Sequence, residues 1–426
     1  MNTQVLKVLM AGYNGANNTG AEALLLSDIQ DVRSVLGTST LITVPSLAPE
    51  NLRRYVKEGP TLRIVRVPII YFRALWKLVK EHDVVMLVEG STYMDTWGSV
   101  LLWAFLWCTL CAAWLGKRCV AYAVDAGRLS RLNRWLVRRI ASRTNLIITR
   151  NTAAAERLAS SGVTAPIKAT ADNAFTYETR PEDEGWQERE WPLTGGGMVG
   201  LAMVDYSLFP VVMRPLGKKA DCYKWPYYFS RSAALRATSR ELAAGYAQTA
   251  DRIAERYGAP VALICMEEVD ERLALAVRAL MAHPEMARIF SARVYNASQM
   301  TVLLRSLRLL VTCRYHAAVL SLRARVPQIA VGHDLRLRTL YQDLGLKDRF
   351  FFDPHAPGLF PWLNARIDDL LENPEEQVEA LRSGHRDHIG RAMRNRRLLA
   401  EEMGKATAGA VIPDPQASLA AVGALT

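Results

Sequence analysis

Residues 308–345 read RLLVTCRYHAAVLSLRARVPQIAVGHDLRLRTLYQDLG, and this stretch decides the fold. Leu309–Thr312 is a short apolar run, the pattern of a strand buried on both faces. Cys313–His316 is a turn, and Ala317–Arg325 has helical periodicity. Pro327 opens a second apolar run, Gln328–Val331, which leads into a charged loop over Gly332–Arg338. Two short strands joined by one helix form a βαβ unit, so they lie parallel and end on the same rim of a sheet. Ligands of open parallel sheets bind at that rim. The pattern therefore gathers Arg314 and His316 with His333, Asp334, Arg336 and Arg338. Arginine and histidine in company suit a phosphate or a carboxylate. His316 taken alone fits equally well a helix-start histidine that holds a backbone carbonyl.

The same alternation runs through the chain. Gln4–Ala11, Thr40–Val44, Leu62–Val67, Asp83–Val88, Cys119–Val124, Asn145–Thr149 and Ile167–Ala171 read as strands separated by helical segments. They define a first α/β domain over residues 1–178. Its rim loops carry Asn14, Asn17, Glu89, Ser91, Asp125, Arg150 and Asp172. After the first strand, Gly12, Gly15 and Gly20 bracket an Asn-rich turn, and Thr19 is the expected helix N-cap. Such a turn either offers backbone N–H groups to an anion or simply joins strand to helix.

Residues 179–197 are polar, acidic and rich in Gly and Pro, the composition of a linker. A second α/β domain over 198–373 takes strands at Met198–Met203, Ala259–Cys265 and Ala292–Val294 before the opening βαβ unit. Within it, Asp205–Phe229 reads as a long aromatic and basic loop. Residues 374–403 form a basic C-terminal helical segment, and 404–426 are expected to be a disordered tail.

The chain has 426 residues, half of them apolar, and a net charge of +11. That charge suits phosphorylated substrates or an anionic lipid surface. Without a dense Lys/Arg tract interleaved with aromatics, nucleic acid is not an expected partner. Six cysteines, none convincingly paired, fit a reducing cytoplasm. Met1–Lys7 carries a single positive charge and Val8–Ala11 is too short a hydrophobic run, so no signal peptide is expected. Val100–Leu115 holds sixteen residues without a charge. A spanning helix needs about 20 apolar residues, so this one is expected to be buried against the sheet.

The order of motifs resembles the polysaccharide pyruvyl transferase family. Its members open with Gly-Tyr-x-Gly-x-x-Asn-x-Gly-Asp-Glu-Ala. Here stand Gly12, Tyr13, Gly15, Asn18, Gly20, Glu22 and Ala23, with Ala21 in place of the aspartate. The family's Gly-Gly-Gly-Ser…Asp segment is met by Gly90, Ser91 and Asp95, with Val88 and Glu89 replacing two glycines. Arg150-Asn151, Ala171-Asp172 with Phe175, and Arg314-Tyr315-His316 match further family signatures. A Tyr-Asp-x-Lys loop is met by His333, Asp334 and Arg336. Arg336 keeps a positive charge for phosphate but is a poor proton donor at neutral pH.

The resemblance implies an α/β architecture of two Rossmann-like domains facing across a cleft, GT-B-like. It implies transfer of pyruvate from phosphoenolpyruvate to a sugar of a cell-envelope or exopolysaccharide glycan, with no metal and no cofactor beyond the donor substrate. His316, Arg314 and Arg336 would be catalytic. Arg314, Arg336, Arg338 and Arg150 would hold the donor. The acceptor would meet Asn14, Asn17, Glu89, Ser91, Asp125 and Asp172. A glycosyltransferase using a nucleotide sugar, or a non-catalytic glycan-binding member of the family, are the alternatives. A cytoplasmic protein with a lipid-linked acceptor, touching the inner membrane face through its basic C-terminal helix, is the expected setting.

Overall fold

A computed structural model describes residues 5–96, 98–192, 197–208, 211–230, 232–332, 335–354 and 356–404. His333, Asp334 and residues 405–426 of the expected tail lie outside the described residues. The chain forms two compact units.

The first unit takes residues up to Ala16, Leu24–Tyr177 and the chain from His388 onward. Its sheet is built from β1 (Lys7–Ala11), β2 (Leu41–Ser46), β3 (Leu62–Arg66), β4 (Val84–Leu87), β5 (Arg118–Val124), β6 (Leu146–Thr149) and β7 (Ile167–Ala169). The strands are all parallel in the order β3-β2-β1-β4-β5-β6-β7. Segments such as VVML and LIIT are buried at every position because helices cover both faces of the sheet. The strand order reverses between β1 and β4. The Gly12–Gly15 turn and Glu89–Ser91 follow those two strands and therefore sit at the switch point.

The second unit takes Asn17–Ala23 and Glu178–Asp387. Its strands are β8 (Val199–Ala202), β9 (Val211–Met213), β10 (Cys222–Lys224), β11 (Tyr227–Phe229), β12 (Val261–Cys265), β13 (Ala287–Ser291), β14 (Leu309–Thr312), β15 (Gln328–Val331) and β16 (Phe351–Phe352). The main sheet is parallel in the order β13-β12-β8-β14-β15-β16. Counting its strands along the chain, both main sheets share the Rossmann order, first strand central and reversal beside it. In the second unit the reversal lies between β8 and β14, which puts Arg314–His316 at the switch point.

Several sequence expectations are corrected. The 205–229 stretch is not simply a loop, because β9, β10 and β11 form a small antiparallel sheet in the order β10-β11-β9. The third strand of the main sheet is Ala287–Ser291 rather than Ala292–Val294. The charged loop expected up to Arg338 is instead a helix from Leu335 to Asp343, whose Leu337, Leu340 and Tyr341 turn inward at helical spacing. The expected linker carries a helix at Trp186–Glu190. Trp186 is buried there, its Nε1 donates to the Gln299 carbonyl at 2.7 Å, and it packs edge-on against Phe290.

The basic C-terminal segment is a helix that packs against the first unit. The helix Val378–Gly404 ends inside the first unit, where Leu399 and Met403 join the core formed with Val8, Met10, Val120 and Tyr122. Its Asn395 donates to the Ala171 carbonyl and accepts from Thr170 Oγ1 at 2.6 Å. Arg391 donates to the Thr170 carbonyl and Arg396 pairs with the buried Asp31. Among the described residues no helix is long and apolar enough to cross a membrane.

Candidate functional site

In the first unit the glycine turn closes on itself. Gly15 has φ +76, and a β-carbon there would fall 2.6 Å from the Ala48 carbonyl, so glycine is required. Its N–H goes to the Tyr55 hydroxyl at 3.1 Å. Asn14 is buried, donating to the carbonyls of Met10 at 3.1 Å and Pro45 at 3.2 Å, which ties the ends of β1 and β2 together. Glu89 accepts from Tyr13 N at 3.3 Å, from Ser91 N at 3.2 Å and from Ser91 Oγ at 2.8 Å. A carboxylate thus lies where the turn was expected to offer its amides to an anion. The residue that replaces a family glycine supplies that negative charge.

Arg150, Asp125 and Asp172 form a buried ion cluster. Arg150 Nε donates to Asp125 at 2.9 Å and Nη1 to Asp172 at 2.7 Å, with Arg150 and Asp172 side chains fully buried. Asp172 also accepts from Ala174 N, capping the short 3-10 helix after it, and Asp125 accepts from Ala126 N. Gly90 leaves room for the guanidinium: a β-carbon there would lie 2.5 Å from Nη1. These groups hold the ends of β5, β6 and β7 together. The sequence ranks them with the exposed rim because burial of a charge leaves no local signature.

In the second unit, residues 17–23 dock on the strand ends. Asn18 bridges to Glu267 in antiparallel fashion, Thr19 N donates to the Met266 carbonyl at 2.9 Å and Glu268 N donates to the Asn17 carbonyl at 3.2 Å. The Asn17 amide reaches Glu268 at 2.9 Å. Asn18 rather than Thr19 caps the helix that begins at Thr19, its Oδ1 accepting from Ala21 N at 3.1 Å. Buried Glu22 accepts from Ala297 N at 2.9 Å, at the start of the helix Ala297–Arg305, where a carboxylate is favoured.

His316 lies over this segment. It enters the first turn of the helix Tyr315–Ser321, half-buried, with its ring against Gly20. Arg314, two residues earlier, donates through Nε to Asp270 at 3.0 Å and through Nη1 to Glu267 at 3.2 Å, while Nη2 also pairs with Asp270. Burial outweighs the pull of Arg314 and leaves the Asp270 carboxyl pushed up to about 6. Burial would lower the Arg314 guanidinium, but Asp270 and Glu267 outweigh that and raise it. Tyr223, from the small antiparallel sheet, hydrogen-bonds Glu267, and burial raises its phenol well above the usual range. The arginine's charge is therefore matched by two carboxylates, and the surroundings of His316 are less cationic than the sequence implies. Arg338 pairs with Asp353 at 3.3 Å and lies over the Phe351 ring, and Arg336 is half-buried in the first turn of its helix.

Sequence reasoning brought Arg314 and His316 to the same rim but missed Glu267 and Asp270 as their neighbours. The signal was present: Glu267-Glu268 and Asp270 directly follow β12, which ends on that rim.

The model of the polysaccharide pyruvyl transferase family matches residues 18–334, a stretch that runs from the docked segment through His316 to just past β15. The chain belongs to the polysaccharide pyruvyl transferase family. No curated protein matches the sequence. Among solved structures, this pyruvyl transferase family member is similar to a putative UDP-N-acetylglucosamine 2-epimerase from Listeria monocytogenes. The two share 13% identity at a TM-score of 0.60, over 93% of this chain and 95% of that one. It is also similar to the UDP-GlcNAc 2-epimerase of Neisseria meningitidis bound to UDP-GlcNAc, at 10% identity and a TM-score of 0.59, over 94% and 100% of the two chains. Anabaena Alr3699/HepE in complex with UDP-glucose aligns at 12% identity and a TM-score of 0.58, again over 94% and 100%. At such identities the likeness is one of fold, and the fold of this family member is GT-B-like with two Rossmann-like sheets.

Proposed function

We propose that this transferase moves pyruvate from phosphoenolpyruvate to a sugar of a cell-envelope or exopolysaccharide glycan. The observation that carries the reading is the family match across 18–334, which includes both Gly20 and His316, whose ring packs against Gly20 at the second unit's switch point. In this reading an acceptor hydroxyl adds to C2 of phosphoenolpyruvate as the methylene carbon gains a proton. A second hydroxyl then displaces phosphate, leaving a ketal and inorganic phosphate. His316 moves the proton, work suited to imidazole at neutral pH. Arg314, locked by Asp270 and Glu267, orients the turn that carries His316 rather than gripping the donor by itself. Arg336 supplies donor charge, with Arg338 available when it leaves Asp353. Glu89 and Ser91 meet sugar hydroxyls, while Asn14, Asp125, Asp172 and Arg150 hold the first unit's rim in shape and Asn17 holds the docked segment.

The test is incubation of the protein with phosphoenolpyruvate and lipid-linked sugars, read as phosphate release and as the mass gain of one ketal-linked pyruvate on the glycan. A second reading, a GT-B-like enzyme of nucleotide sugars, draws on the UDP-GlcNAc and UDP-glucose held by two of the similar structures and on the carboxylates that offset Arg314. Release of UDP from a nucleotide sugar, with no phosphate release from phosphoenolpyruvate, would replace the first reading with the second.

A further inference from the structure

One face of the first unit combines exposed aromatics with basic flanks, and neither the proposed chemistry nor the rim uses it. Three helices build it: Phe72–Glu81, Ser99–Trp114 and Arg131–Ala141. The middle helix has no charged residue. It buries Leu102, Phe105, Leu106, Cys108 and Cys111 against the sheet, yet its outer stripe of Val100, Trp103, Trp107 and Trp114 is apolar too. Trp107 and Trp114 meet edge to face at 5.9 Å, and Trp76 and Phe72 extend the cluster. Ile70 is 75% exposed and Trp114 is 56% exposed. On the third helix, Leu132 and Trp135 are exposed as well.

The flanking helices are basic. Phe72–Glu81 carries Arg73, Lys77 and Lys80 with one carboxylate, Glu81, and Arg131–Ala141 carries Arg131, Arg134, Arg138 and Arg139 with none. An apolar ridge of this size on a water-soluble surface marks a docking site. Its composition decides the occupant. A second copy of the chain would set these cations against their own kind across a twofold axis, which is unfavourable. Tryptophans and isoleucines between Lys/Arg rows match the layering of a bilayer surface, apolar tails below and anionic headgroups beside. We propose that this three-helix face lies on the surface of an anionic phospholipid membrane. The helices lie in the interface without crossing it, and the contact is independent of which donor and acceptor the enzyme uses. The expected membrane face thereby moves from the C-terminal helix, whose inner residues pack in the first unit's core, to residues 69–139.

The experiment is flotation of the full chain with vesicles of phosphatidylcholine alone and of phosphatidylcholine mixed with phosphatidylglycerol. The expected result is binding to the anionic vesicles, weakened several-fold by high salt, with tryptophan fluorescence quenched by brominated lipid. Ile70→Ser with Trp114→Ser, and separately Arg134→Glu with Arg138→Glu, should each lower partition about tenfold or more. Arg386→Glu with Arg394→Glu, on the C-terminal helix, should leave it unchanged. All these positions are exposed, and unchanged thermal unfolding separates lost docking from lost folding. Equal binding by the wild type and both face variants, or loss only in the C-terminal variant, would overturn the proposal. So would an absence of vesicle binding together with a dimer, or an acidic protein partner, that is lost on Trp114→Ser.

Discussion

The imidazole of His316 packs against the α-carbon of Gly20, so closely that a β-carbon at position 20 would fall 2.1 Å from Nδ1. The family glycine at this point is therefore a space requirement set by a residue almost 300 positions later in the sequence. It also makes Gly20 a handle on the placement of His316. Gly20→Ala should displace the ring and lower turnover by about 100-fold, since small misplacements of a reacting group cost that much. His316→Ala should lower it by about 100- to 10,000-fold. Phosphate release measured beside circular dichroism checks both, and wild-type turnover in either variant would remove His316 from the reaction.

Arg314 is the countercharge of Asp270. In Arg314→Ala the carboxyl of Asp270, already pushed up to about 6 by burial, rises further. An Asp with a raised folded-state value binds its proton more tightly in the native protein than in the unfolded chain. Its contribution to stability is present below about pH 4, the unfolded value, and is lost as pH rises through the folded value. Urea midpoints of Arg314→Ala should therefore fall as pH increases above about 6, more steeply than those of the wild type. A variant whose stability rises over that interval would contradict the pairing.

The Arg150 cluster should behave as structure. Arg150→Met leaves Asp125 and Asp172 buried without their partner and should cost about 3–5 kcal/mol. Gly90→Ala forces a β-carbon against the guanidinium and should cost about 1–3 kcal/mol. Chemical denaturation measures both. Full stability with lost donor binding in Arg150→Met would instead make Arg150 a ligand residue.

His82 is the acid-sensitive group of the first unit. Its Nδ1 must donate to the Leu78 carbonyl at 2.5 Å, so Nε2 is left to accept from the Thr43 hydroxyl at 2.7 Å. Thr43 in turn accepts from Arg63 Nε at 2.9 Å. Burial holds the imidazole below its ordinary value. The unfolded chain then takes up a proton first on acidification, so this stability is complete above about pH 6.5 and lost below it. Denaturation midpoints measured on both sides of that pH should show the slope in the wild type and a shallower one in His82→Gln.

Much of the architecture is legible because buried parallel strands are short and almost wholly apolar. Val84–Leu87, Leu146–Thr149, Leu309–Thr312 and Gln328–Val331 are such runs, each buried at every position. The start of the helix Leu335–Asp343 falls in the charged stretch read as a loop up to Arg338, because Arg336 and Arg338 mask the inward stripe of Leu337, Leu340 and Tyr341. At the site, residue type gave the rim but not the pairing. Glu89, Asp125 and Asp172 are acids that bind the protein's own donors, and Arg314 and Arg150 are cations that bind its own acids. Whether a charge faces a ligand or a neighbour depends on the partner strand, which lies far away in sequence.

The first unit's core takes Val8 and Met10 from one end of the chain and Leu399 and Met403 from the other. During synthesis the ribosome delivers Leu399 and Met403 after every residue of the second unit, so the first unit cannot seal until the second has been made. The second unit has its residues earlier and can consolidate while the first still waits. Excising the opening domain at the natural-looking break near Tyr177 would yield a fragment with an open seam, whose exposed leucines and methionines favour aggregation.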